Sequence, residues 1–182
     1  MKRSIFFAAA LLLAVVVLAG CAEPPEGSIE DNVYTCESME LAFTAPEGWM
    51  YDWKYSEMTE GVPCDMCAYD NTRTGTEVAV AYEDLAATRK KGCDEEEYLD
   101  KTKEMLMEDP DRTFEFSDYW DAKIGGNTFM VMAVTFPDGH IGYNYVRRIG
   151  KYMICIVAWI PEGGDVDSVM ANFFSLETDV TE

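Results

Sequence analysis

The segment Tyr152–Ile160, YMICIVAWI, is apolar at every position. In an extended chain Tyr152, Ile154, Ile156, Ala158 and Ile160 share one face and Met153, Cys155, Val157 and Trp159 the other, so both faces need cover. Such a strand belongs in the middle of a sheet with a layer on each side. After Pro161-Glu-Gly-Gly164, Asp165 can cap a helix in which Val166, Val169, Met170, Phe173 and Phe174 recur at helical spacing. The pattern predicts a helix through Phe174 that covers one face of that sheet.

The remaining elements follow the same two periods. Val33–Glu37 and Leu41–Ala45 are short strands, and Pro46-Glu-Gly48 turns the chain into a third. There the alternation is strict, with Trp49, Tyr51, Trp53 and Tyr55 on one face and Met50, Asp52, Lys54 and Ser56 on the other. The aromatic row is either the core side of a half-buried strand or a stacking platform for a small flat ligand. Pro63–Tyr69 and Thr76–Tyr82 flank Asp70-Asn-Thr-Arg-Thr-Gly75 and predict a hairpin. Asp94 and Glu97 have capping-box spacing, and Tyr98, Leu99, Thr102, Met105 and Leu106 form one helical stripe ending before Pro110. The acids Asp94–Glu97 therefore start a helix, and no calcium-loop pattern makes them a metal site. Phe114–Lys123, Asn127–Phe136, Ile141–Ile149 and Lys151–Ile160 are separated by Gly125-Gly126, Pro137-Asp-Gly139 and Gly150, the punctuation of a meander. The sum is an α+β domain, an antiparallel sheet covered by helices, in a single unit over residues 33–182.

Charge narrows the partners. The chain carries 14 basic and 34 acidic residues; without residues 1–20, which hold Lys2 and Arg3 and no acid, the balance is 12 − 34 = −22. Such a surface repels phosphate backbones, which excludes nucleic acid, and favours a protein or other cationic partner.

Met1–Gly20 has a basic start, an apolar run from Ile5 to Ala19 and small residues before Cys21. The run falls short of the roughly 20 residues needed to span a bilayer and reads as a secretory signal. Leu18-Ala19-Gly20-Cys21 resembles the lipobox of bacterial lipoproteins. That resemblance implies cleavage before Cys21, a diacylglycerol thioether on its sulfur, and anchoring at the outer face of the cytoplasmic membrane. Residues 21–32, rich in Pro, Gly and acids, then form a flexible tether, reaching about 35 to 40 Å if extended.

The element order, together with Pro46–Trp49, Gly125-Gly126-Asn127, Arg148-Ile-Gly-Lys-Tyr152 and Ala171-Asn-Phe-Phe-Ser175, resembles the PsbP-like and Mog-type domains. The resemblance implies a non-catalytic binding or assembly factor with no shared active site to carry over.

Chemistry-bearing residues are few. Cys64-Asp-Met-Cys67 has the spacing of a redox pair, but Asp65 and Asp70 are beside it and strand sequence follows it, so the setting blunts a thiolate. With Cys21 lipidated, Cys36, Cys64, Cys67, Cys93 and Cys155 remain. Cys155 belongs to the core strand, and the other four allow three disulfide pairings. His140, the single histidine, follows a Pro-Asp-Gly turn and reads as solvated; one histidine also excludes a multi-histidine zinc site. No nucleophile elbow, phosphate-binding loop or dinucleotide loop occurs, so neither an enzyme nor a cofactor is expected. Three readings follow: a tethered non-catalytic accessory module, a redox lipoprotein using Cys64 and Cys67, or a small-ligand binder using the Trp49–Tyr55 face.

Overall fold

The structure, a computed structural model, describes residues 24–52, 57–59, 62–72, 74–88, 90–109 and 113–176. Cys21, Trp53 and Tyr55 lie outside them. In chain order the elements are β1 (Ser28–Glu30), β2 (Val33–Cys36), a 3₁₀ turn (Glu37–Met39), β3 (Leu41–Thr44), β4 (Trp49–Tyr51), β5 (Glu57–Thr59), β6 (Val62–Asp70), β7 (Glu77–Asp84), α1 (Glu95–Met107), β8 (Glu115–Phe116), β9 (Trp120–Ile124), β10 (Asn127–Thr135), β11 (Ile141–Ile149), β12 (Tyr152–Ile160), α2 (Val166–Met170) and β13 (Phe173–Ser175).

The larger sheet has the order β4-β6-β7-β12-β11-β10-β8, with β5 on β6 and β9 on β10. Every described pairing is antiparallel, and β12 is central, bonded to β11 along its full length and to β7 through Tyr152–Trp159. Its even-numbered side chains enter one core with Val78, Val80, Phe129, Val131 and Tyr145, while Met153 and Cys155 enter a second with Met132, Val134, Val146, Tyr98 and Leu99. The doubly apolar sequence of β12 thus serves two layers, as its pattern requires.

What covers those layers differs from the expectation of helices on the sheet. The first core is closed by a second sheet, β1-β2-β3-β13, through Tyr34, Cys36, Leu41, Phe43 and Phe173. The short α2 adds Val169 to this core, while the longer α1 covers the second, so the domain is more β-rich than a helix-covered sandwich. The predicted helix through Phe174 stops at Met170. Asn172 caps the last turn, its Nδ2 donating to the Ser168 and Val169 carbonyls at 2.7 and 3.1 Å. Phe173–Ser175 then pairs with β3, and Phe173 meets Phe43 with ring centroids 4.6 Å apart. The free edge of β3 offers a row of backbone partners that another helical turn could not use.

Three further boundaries depart from periodicity. The predicted strand Phe114–Lys123 is two pieces, β8 and β9, because Ser117 takes over at the break: its Oγ accepts from the Ala133 amide at 2.9 Å. Residues 24–32, assigned to the tether by composition, are docked. Ser28–Glu30 pairs with β2, and the Gly27 amide donates to Asp65 at 2.8 Å. Met105, placed in the helical stripe of α1, is 46% exposed. The capping box holds as read, with Asp94 accepting from the Glu97 amide at 2.9 Å. Among the described residues no helix is long and apolar enough to cross a membrane.

Candidate functional site

The Cys64–Cys67 pair lies on β6, which is interrupted by a bulge: Cys64 pairs with Ala81 and Met66 with Val80. Strict alternation would send residues 64 and 67 to opposite faces. The extra residue, Asp65, brings both to the face of Ala79 and Ala81. Asp65 itself reaches the other way and accepts the Tyr34 hydroxyl and the Gly27 amide, fastening the N-terminal segment to the large sheet. Both thiols are held protonated. Burial first, then Asp65, pushes Cys64 up to about 11, and burial followed by Cys64, Glu77 and Asp52 pushes Cys67 up to about 12. Among the described residues no helix start or cation opposes these effects, so nothing described there activates a redox thiol. All five described cysteines are free thiols. Cys36 is in the inter-sheet core and Cys93 is under α1.

Of the aromatic row, Trp49 and Tyr51 are half-buried and pack against the inter-sheet core. The Trp49 and Phe43 centroids are 6.4 Å apart, and the Tyr51 hydroxyl donates to the Asn32 and Phe43 carbonyls at 3.2 and 3.4 Å. These two rings hold β4 to the small sheet. His140 is not simply solvated, because its ring stacks on Trp159 at 5.6 Å with 25° between planes.

The arrangement that sequence reading missed lies between α1 and the sheet. Glu83 continues the Ala79, Ala81 row of β7 and is 2% exposed. It accepts from Lys90 Nζ at 2.8 Å and from the Tyr98 hydroxyl at 2.7 Å. The Cys155 thiol in turn donates to the Tyr98 oxygen at 3.3 Å. Lys90 also sits 4.0 Å over the Tyr98 ring. Burial pushes the Glu83 carboxyl up, but the bonds and charge of Lys90 and the bond from Tyr98 outweigh it and hold Glu83 below the usual range. Burial pushes the Cys155 thiol up to about 11.

This network, with Arg148, sets the position of α1. The Arg148 amide donates to Glu95 at 2.8 Å and its guanidinium to the Cys93 carbonyl at 3.1 Å. So fixed at its start, α1 covers Met153 and Cys155 but leaves Val157 and Trp159 half-buried. A cavity of about 330 Å³ remains there. Leu99, Thr102, Met105 and Leu106 roof it, Asn144, Val146 and Val157 floor it, and Phe136 with Trp159 close its far end. Gly142 makes that end wall: a Cβ there would stand 3.1 Å from the Phe136 ring and 3.4 Å from Trp159, whose ring centroids are 4.1 Å apart. The signals that could have located it are a carboxylate in an apolar row (Glu83) and an amide on a strand buried on both sides (Asn144).

The outer side of α1 is different in character. Glu96, Glu97, Asp100, Glu104 and Glu108 are exposed there. Its two lysines are drawn inward, Lys101 donating to Cys93 Sγ at 3.0 Å and Lys103 lying 4.9 Å over the Tyr119 ring. No described ion pair neutralises Glu96, Glu104 or Glu108.

Among solved structures, the chain is similar to the solution structure of cyanobacterial PsbP (CyanoP) from Synechocystis sp. PCC 6803. The TM-score is 0.55 at 14% identity, covering 86% of this chain and 96% of that one. The likeness supports a PsbP-like fold. A crystal structure from Bacteroides thetaiotaomicron VPI-5482 aligns over 82% of this chain and 50% of that one at 10% identity, but its TM-score of 0.37 carries no argument. No protein-family model and no curated protein sequence matches the chain.

Proposed function

We propose that this protein is a non-catalytic accessory module, held at the outer face of a bacterial cytoplasmic membrane through lipidated Cys21, that docks a basic protein partner on the outer side of α1. The observation that carries the reading is the exposed row Glu96, Glu104 and Glu108, none of them in a described ion pair, beside Met105 and Met107, which are 46% and 57% exposed. Carboxylates steer a cationic partner, and flexible methionines give it an adaptable apolar footing. The docked residues 24–32 shorten the free tether, which keeps the domain close to the lipid. The PsbP-like fold agrees with an accessory role by analogy alone.

The test uses the full chain in detergent-solubilised native membranes. Wild type should retain a basic protein at low salt and release it by about 0.5 M salt, where screening is within a few ångströms. The variant with Glu96→Gln, Glu104→Gln and Glu108→Gln should retain none. Equal recovery by this variant would refute docking at α1. Separately, Cys21→Ala should move the protein out of the membrane fraction, and unchanged fractionation would refute the anchor.

A further inference from the structure

The cavity between α1 and the large sheet has the size of a small-molecule site and the usual makeup of one, apolar walls with few polar groups. Its vacancy is built into the sequence. Where α1 faces the Val157–Trp159 end of β12, the facing positions are Thr102, Gly142 and Val157, each too small to fill the gap. The rings of Phe136 and Trp159, tilted at 55°, offer an edge and a face to a flat guest.

Asn144 is the second, independent indication. It stands on β11 opposite Met132 and Val157, in a row otherwise apolar on this face. Its Nδ2 donates back to the Gly142 carbonyl at 3.2 Å and toward the Met132 carbonyl at 3.5 Å, which orients the amide. No described group donates to its Oδ1. This oxygen is not sealed from the cleft, so a donor on a guest can reach it.

Charge selects the guest further. At the opposite end of the cleft Lys90 is paired with Glu83 at 2.8 Å, so the two charges there cancel. An anion would find no spare cation at that pair and a strongly acidic exterior; a cation would meet Lys90 with its carboxylate already engaged.

We infer that the cleft between α1 and the large sheet binds a neutral, ring-bearing apolar small molecule that lies against Phe136 and Trp159 and donates one hydrogen bond to Asn144 Oδ1. This site lies on the inner side of α1 and shares only the half-exposed Met105 with the acidic outer side, and its occupation does not depend on the protein partner.

The probe is N-phenyl-1-naphthylamine, which is neutral, aromatic and carries one N–H, and which brightens in apolar surroundings. Titrated into the full chain in mild detergent below its micelle concentration, it should bind saturably at one site and quench tryptophan emission by energy transfer. Asn144→Leu, similar in volume and without the acceptor, should weaken binding about 5- to 10-fold, the worth of one hydrogen bond. Val157→Phe and Thr102→Phe fill the cleft from floor and roof, and each should abolish saturable binding while thermal unfolding shows the domain still folded. The sulfonated analogue 1-anilinonaphthalene-8-sulfonate should bind at least tenfold more weakly. Absence of saturable binding to wild type, binding unaltered in both filled variants, an unchanged affinity in Asn144→Leu, or equal affinity for the sulfonate would each overturn the inference.

Discussion

Lys90→Met isolates what the buried carboxylate of Glu83 requires. The substitution keeps most of the side-chain volume, leaves the Tyr98 bond in place, and removes the cation 2.8 Å from a carboxylate that is 2% exposed. Removing one partner of a fully buried ion pair costs about 3 to 5 kcal/mol. Lys90 is 20% exposed, so water can approach the carboxylate once the ammonium is gone, and we reduce the loss to about 2 to 3 kcal/mol. In urea unfolding followed by tryptophan emission, with a slope of about 2 kcal/mol per molar, that is a midpoint lowered by about 1 to 1.5 M at pH 7. Adding Glu83→Gln to Lys90→Met removes the stranded charge and should recover about half of the loss, because the penalty belongs to the unpaired carboxylate. The pH dependence has a definite sign. Glu83 is held below its unfolded value of 4.5, so its contribution is fully present above that value and is lost as pH falls through the folded one. The gap between wild type and Lys90→Met should therefore narrow below pH 4.5. A Lys90→Met loss under 0.5 kcal/mol, or a double variant no more stable than the single one, would refute the reasoning.

Other perturbations follow from the same structure. Phe173→Ala, which empties a buried ring site against Phe43, should cost about 3 to 5 kcal/mol and lower the thermal midpoint, whereas a solvent-facing helical Phe173 would cost little. Asp65→Ala should release the Gly27 amide and the Tyr34 hydroxyl, and limited proteolysis should then cut between residues 24 and 32 well before the core. With Cys64 at about 11 against 9.0 for a free thiol, its iodoacetamide reaction at pH 7 should run roughly 10- to 100-fold below that of a free cysteine. The rate should climb as pH rises through that value, and rapid alkylation at neutral pH would contradict the burial argument.

The cysteine pair shows how local pattern and tertiary context divide the work. Spacing alone identified Cys64 and Cys67 as a candidate, and the acids nearby in sequence already argued against a thiolate. That the two share a face depends on the bulge at Asp65, and the bulge goes with pairing to Ala81 and Val80 on another strand. No period within β6 encodes it. Glu83 is similar. Its burial rests on Lys90 and, across the fold, Tyr98 on α1, which supply the donors its carboxylate needs.

By itself the sequence determined the central position of β12, the β6–β7 hairpin, the capping box of α1 and the meander from β10 to β12. Each is written in residues adjacent in the chain, through apolar period, turn chemistry or a cap three residues away. Tertiary structure decided that Phe173–Ser175 extends the small sheet as β13, that this sheet, joined by only the short α2, closes the inter-sheet core, and that α1 leaves Val157 and Trp159 half covered. Those outcomes depend on a free strand edge at β3 and on the reach of Tyr98 and Arg148 from distant segments, which no window along the chain contains.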